Sequence, residues 1–148
     1  MVDTSQKQAT RRQATARSIV VLPGEVLAQL TIGNELRSAK GSVFQTAILA
    51  GIMAAKKTGD LIPLCHPLGL HDCQINIHID ENQYVVIDCT ATVTARTGVE
   101  MEALVGASIA ALTVYDMCKA LSHDIIIKET RLMTKTGGKR DFQREAVG

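Results

Sequence analysis

The sequence has no tryptophan and only two tyrosines and two phenylalanines in 148 residues, too few rings for a platform that stacks single-stranded bases. It also lacks an excess of either charge, with 16 Lys and Arg against 15 Asp and Glu and a net charge of +1. Without an overall field to attract nucleic acid or an anionic membrane, any anion site must be local, and neither partner is expected. The four cysteines, Cys65, Cys73, Cys89 and Cys118, include no CxxC pair and follow no signal peptide, which reads as reduced thiols in a cytoplasmic protein. Apolar stretches are interrupted before the ~18 residues of a spanning helix, so no membrane segment is expected.

What is present is an ordinary globular composition, 46% hydrophobic and 21% charged, at a length that buries a core without disulfide or metal staples. A single domain over residues 1–148 is expected. Residues 1–17 carry Lys7, Arg11, Arg12 and Arg17 against one acid, Asp3, and lack an apolar helical face, so they read as a flexible polar arm. The β-branched run at 18–22 predicts a strand stopped by Pro23. Val26, Leu27, Leu30 and Ile32 predict a short helix ending at Gly33. Ser42 is placed to cap a helix reaching about Thr58, with Gly59 in the C′ position.

From Cys73 the period changes to two. Cys73, Ile75, Ile77 and Ile79 alternate with polar residues, and after a polar turn Val85, Ile87, Cys89, Ala91, Val93 and Ala95 share one face of a second strand. An antiparallel hairpin is predicted. Residues 101–121 are apolar nearly all round, as in a buried helix, and the run 124–134 returns to strand-forming residues before the basic glycine loop at 135–139. Strand, helix, strand, strand, helix, strand is the order of an α+β sandwich with helices on one sheet face.

Four stretches could carry chemistry. His66 lies between Pro63 and Pro67 in an apolar segment, where Pro67 holds it extended; it could act as a general acid or base or simply be a histidine satisfied in a core turn. Cys65, His66, His71 and Cys73 are zinc-ligand types, but their spacing matches no common zinc pattern, and no metal is expected. Glu100 and Glu102 sit just after Gly98 where strand gives way to helix; helical geometry would point them to opposite sides, and only an extended start would aim both at one cleft. Asp116 and Lys119 are an i, i+3 pair in an otherwise apolar helix. On that helix Glu102 and Asp116 would stand about 21 Å apart, so one small-molecule site holds both only if two subunits contribute. Lys135, Gly137, Gly138 and Lys139 offer the cations and free amides of a phosphate cradle without the P-loop pattern.

Taken together, these stretches resemble the cyclic pyranopterin monophosphate synthases, the MoaC family of molybdenum cofactor biosynthesis. The resemblance rests on Leu61-Ile62-Pro63-Leu64-Cys65-His66-Pro67-Leu68, Thr97-Gly98-Val99-Glu100-Met101-Glu102-Ala103-Leu104 and Tyr115-Asp116-Met117-Cys118-Lys119-Ala120, with Lys40-Gly41 and the 135–139 loop in the same order. It implies a ferredoxin-like α+β fold, assembled as a homohexamer (a trimer of dimers) with the active site between subunits. It also implies a lyase that turns 3′,8-cyclised dihydro-GTP, a nucleotide-derived small molecule, into cyclic pyranopterin monophosphate and pyrophosphate. No redox cofactor is implied, with Mg²⁺ the only candidate companion of the triphosphate. Carried over by motif, Lys40, His66, Asp116 and Lys119 would be catalytic. Leu64, Cys65, His66, Glu100, Met101, Glu102 and Lys135 would bind substrate, joined by Asp3 and Arg12. Lys40, Lys119 and Lys135 would neutralise the triphosphate, Asp116 and His66 would move protons, and Glu100 and Glu102 would accept the N–H groups of the base edge. Three positions depart from the family pattern: Ser42 where Asp commonly follows Lys-Gly, Ile48 where Arg is usual, and Arg140 where Ser-Gly follows Lys139.

Overall fold

Strand β1 runs over Thr10–Val21, more than twice the expected length. In the computed structural model, which describes residues 1–145, it is the central strand of the main sheet, antiparallel to β6 (Tyr84–Ala95) on one side and β7 (Ile126–Thr136) on the other. The flexible arm expected over residues 1–17 is therefore wrong from Thr10 onward. Ala14, Ala16, Ser18 and Val20 face the core with no exposed surface, while Gln13, Thr15 and Arg17 occupy the opposite face. Alternation was there to be read, but small, weakly strand-forming alanines on its inner face disguised it.

The chain continues through α1 (Gly24–Leu30), β2 (Thr31–Ile32), β3 (Glu35–Ser38) and β4 (Gly41–Ser42), the last three forming a small separate sheet. The first helix stops at Leu30 because Thr31 and Ile32 pair with Leu36 and Glu35 around a turn in which Gly33 takes φ +60°. Then follow α2 (Val43–Ala55), α3 (Thr58–Leu61), β5 (Asp72–Ile79), β6 (Tyr84–Ala95), α4 (Glu100–Cys118), a 3-10 turn (Lys119–Leu121), β7 (Ile126–Thr136) and β8 (Phe142–Gln143). Ser42 precedes α2, but its hydroxyl makes no capping bond; the Glu35 carboxylate instead accepts the Phe44 amide at 2.8 Å. Helix α2 ends at Ala55, not Thr58, where the buried Thr58 hydroxyl donates to the Ala55 carbonyl at 2.9 Å. Gly59 lies within α3, where a Cβ would come 3.0 Å from the Pro67 backbone.

The main sheet has the order β5-β6-β1-β7-β8, antiparallel throughout. Leaving the two-residue β8 aside, the strands of the β-α-β-β-α-β chain lie second, third, first, fourth, which is the expected ferredoxin-like arrangement. Helices α2 and α4 share one core with the inner residues of β1, β5 and β6. The other sheet face is polar: Arg17 clasps Asp88 at 2.8 and 3.0 Å, and Thr15 meets Thr90 at 2.7 Å.

By length and composition the stretch Glu100–Leu121 would pass as a membrane span, with a mean hydropathy of 1.4, against the expectation that no apolar stretch reaches that length. Here the apolarity serves packing: Ala103, Ala107, Ala110, Ala111 and Val114 are fully buried in the core. Small residues also let α2 and α4 touch. A Cβ on Gly51 would strike the Ile75 side chain and lie 2.7 Å from the Gly106 carbonyl oxygen of α4. Backbone cannot rotate away, so Gly51→Ala is expected to cost ~1–3 kcal/mol although alanine favours an exposed helix by ~1 kcal/mol. Urea unfolding should show a lower midpoint at an unchanged slope; an equal or higher midpoint would mean that the helices have room to part.

Candidate active site

The expected site residues fall into two groups at opposite ends of α4. At its C-terminal end, Asp116 accepts from two lysines. Lys40 Nζ reaches Oδ2 at 2.8 Å from the tip of the β3–β4 hairpin, and Lys119 Nζ reaches Oδ1 at 2.9 Å from the following turn. Glu35 supports this arrangement, since one carboxylate oxygen ties the Leu36 amide of that hairpin to the Phe44 amide of α2. It lies nine residues from Phe44, too far for a capping-box signature, so nothing in the sequence announces it.

The hydrogen bond from Lys40, then that from Lys119, holds the Asp116 carboxyl down to about 2, and Asp116 in turn raises the Lys119 ammonium. All three side chains are about half exposed. Exposed ion pairs contribute ~0–1 kcal/mol, so stability does not explain why three charged groups from two distant segments converge. Ile109, Leu112 and Tyr115 flank Asp116 and Lys119 in a shallow cleft open to solvent.

The second group stands at the N-terminal end of α4. This helix begins at Glu100, so the extended start thought necessary for Glu100 and Glu102 to share a site does not exist. The long Glu100 side chain solves the problem by folding back against Gly98, where a Cβ would collide with its carboxylate. Its Oε1 lies 3.8 Å from Lys135 Nζ. Glu102 turns inward and is 2% exposed, and neither carboxylate oxygen has a hydrogen-bond partner. Burial, then Glu102, then Glu100 raise the Cys65 thiol, and α3, which leads into the 61–68 segment, contacts α4. Burial, followed by Glu100, raises Glu102 itself, against a lowering by its own backbone amide.

His66 Nε2 lies 2.6 Å from the Val2 carbonyl oxygen, a contact that brings the N-terminal segment onto the 61–68 segment. A main-chain acceptor has no sequence signature. Asp3 turns away, accepting the Ser5 amide at 2.8 Å, a bond that lowers its carboxyl. Arg12 donates to the Ala95 carbonyl at 3.1 Å. Leu64 and Met101 are exposed beside their groups, at 74% and 37%. The basic glycine loop is no open cradle: Lys135 and Thr136 belong to β7, and Gly137 packs on the Arg11 carbonyl while Thr10 Oγ1 donates to the Gly137 carbonyl at 2.7 Å.

Among the described residues no three His, Cys, Asp or Glu side chains gather as a metal set. Of the four zinc-type residues, Cys73 pairs instead with Cys89, sulfur to sulfur 3.7 Å. The structure thus assembles Cys65, Glu100, Glu102 and Lys135 at one end of α4 and Lys40, Asp116 and Lys119 at the other. Within one chain it does not bring the two together.

Residues 1–138 match the MoaC family. The chain is 57% identical over 142 residues to a cyclic pyranopterin monophosphate synthase of Xanthomonas campestris pv. campestris, covering 96% of this chain and 86% of that protein. It is 53% identical to a molybdenum cofactor biosynthesis bifunctional protein of Synechocystis, over 97% of this chain and 42% of the relative. Molybdenum cofactor biosynthesis protein 1 of Dictyostelium discoideum is 49% identical over 94% of this chain, which spans 24% of that larger protein.

Proposed function

The chain belongs to the MoaC family, and from that premise we propose that it is the cytoplasmic lyase that converts 3′,8-cyclised dihydro-GTP to cyclic pyranopterin monophosphate and pyrophosphate. The observation that carries this reading is the Lys40–Asp116–Lys119 cluster, an exposed convergence of charge with no structural return. It offers two ammonium groups to a triphosphate.

As the cyclic phosphate closes, a substrate hydroxyl oxygen bonds to the α-phosphorus, the bond to the bridging oxygen breaks, and pyrophosphate leaves with the electron pair. Lys40, Lys119 and Lys135 stabilise the charge that accumulates on it. Asp116 enters as a carboxylate, held below the usual range by the hydrogen bonds from Lys40 and Lys119. When phosphate oxygens take over those lysines, the carboxylate regains basicity and becomes fit to accept a proton. His66 moves the other proton as the purine-derived ring opens. The group around Glu100 and Glu102 receives the base. Mg²⁺ would accompany the triphosphate as part of the substrate.

The working unit is a homohexamer, a trimer of dimers, in which one protomer supplies the base-binding end of a site and its neighbour the phosphate-binding end. Exposed Leu49 and Met53 on α2 and Leu112 on α4 support a covered helical face. Incubation with the cyclised nucleotide should release pyrophosphate in a 1:1 ratio with the cyclic phosphate product. Tight nucleotide binding with no product would replace this reading with that of a nucleotide-binding regulatory module.

A further inference from the structure

Helix α2 begins without a cap of its own. Ser42 holds the N-cap position, yet its hydroxyl is buried with no hydrogen-bond partner. The second amide of the helix, that of the buried Phe44, would then stand orphaned. It donates instead to Glu35 Oε1 at 2.8 Å, and the same oxygen accepts the Leu36 amide at 2.8 Å. The macrodipole favours a carboxylate at a helix N-terminus, but this one reaches in from across a hairpin. Its bond to Phe44 closes residues 35–44 into a loop with Lys40 at the tip.

The tip is set by short-range geometry: Ser38 Oγ accepts the Lys40 amide at 3.1 Å, and Gly41 takes φ +114°, where a side chain would be strained. The base is slighter. Strand β4 is two residues long, and among the described residues the small sheet pairs with no strand of the main one. Leu36 buries its side chain in the core, but apolar contact is non-directional. It holds the hairpin close without fixing the direction in which it leaves α2. The two bonds to Glu35 fix that direction.

We propose that Glu35 is a positioning residue of the site, aiming Lys40 by tying the base of its hairpin to the first turn of α2. The inference rests on the reading that Lys40 binds the phosphate chain. Glu35 touches no substrate and acts through Lys40. The tie needs an acceptor of the right reach: Glu35→Gln keeps Oε1, whereas Glu35→Asp is one methylene short of Phe44.

A double-mutant cycle with Lys40 tests this, read as kcat/KM for the cyclised nucleotide and, without chemistry, as calorimetric affinity for inorganic pyrophosphate. Misplacing a positioned group by ~1 Å can cost on the order of 10²-fold, so Glu35→Ala should lower kcat/KM by about that factor. Glu35→Gln should stay within about threefold, because both amides keep their acceptor. Added to Lys40→Ala, Glu35→Ala should cost less than about twofold more, since no ammonium remains to be aimed. A merely structural cap would cost the same factor in both backgrounds, and such additive losses overturn the proposal. So do equal losses in Glu35→Gln and Glu35→Ala. If Glu35→Ala does not fold, Glu35→Asp carries the same cycle. Pyrophosphate affinity should repeat the non-additivity. If it does while the wild type leaves the nucleotide unconverted, the proposed reaction falls and the aiming of Lys40 stands; additive losses in a protein that converts the nucleotide reject Glu35 alone.

Discussion

Replacing Lys119 with alanine should lower kcat/KM for the cyclised nucleotide by about 10³-fold, the loss expected when one group stabilising a leaving charge is removed. The fold should hardly notice. Lys119 is 57% exposed and its only ion pair among the described residues is with Asp116, so thermal unfolding should stay within what a surface pair contributes, ~0–1 kcal/mol. A structural role would show the reverse, a lower melting point with activity retained in the folded fraction. Asp116→Asn separates the two functions of the cluster. The amide can no longer accept a proton and no longer holds two lysines in register, so kcat should fall. KM should rise less, because both ammonium groups remain to bind phosphate. A Lys119→Ala protein with full turnover would remove the cluster from the mechanism and leave three converging charges without a purpose.

Much of the fold was open to reading because its strongest periodicities are local. The β5–β6 hairpin alternates cleanly, with Ile75 and Cys89 inward and Asn76 and Asp88 outward, and its register follows from a four-residue polar turn. What stayed hidden depended on partners distant in sequence. β1 begins at Thr10 only because β6 and β7 flank it, and nothing local distinguishes Arg11, Arg12 and Gln13 from a solvated arm. Likewise Gly33 and Gly59 look like helix stops until the β2–β3 pairing and the approach of Pro67 reveal other reasons for them.

The candidate site divides along the same line. Asp116 and Lys119 are one helical turn apart and could be paired on paper, whereas Lys40 joins them across 76 residues. The misjudged geometry of Glu100 and Glu102 shows a limit of spacing arguments. Helical periodicity fixes where Cβ atoms point, yet Glu100 has length enough to bend back, and Gly98 leaves the room for it.

Mixing two inactive proteins should restore activity, and this is the sharpest consequence of finding the two groups about 21 Å apart along one helix. Lys119→Ala removes the phosphate end and His66→Ala the base end; each homo-oligomer has every site damaged. If each site takes one end from each of two protomers, a mixed dimer has one site with both defects and one with neither. Random exchange makes half the dimers mixed, so about a quarter of wild-type activity should return after co-expression or unfolding and refolding together, against about a thousandth for either protein alone. Sites contained within single protomers would give no recovery at any mixing ratio, since no chain would then be intact. The experiment reads geometry by counting, and its outcome does not depend on how protons are divided between Asp116 and His66.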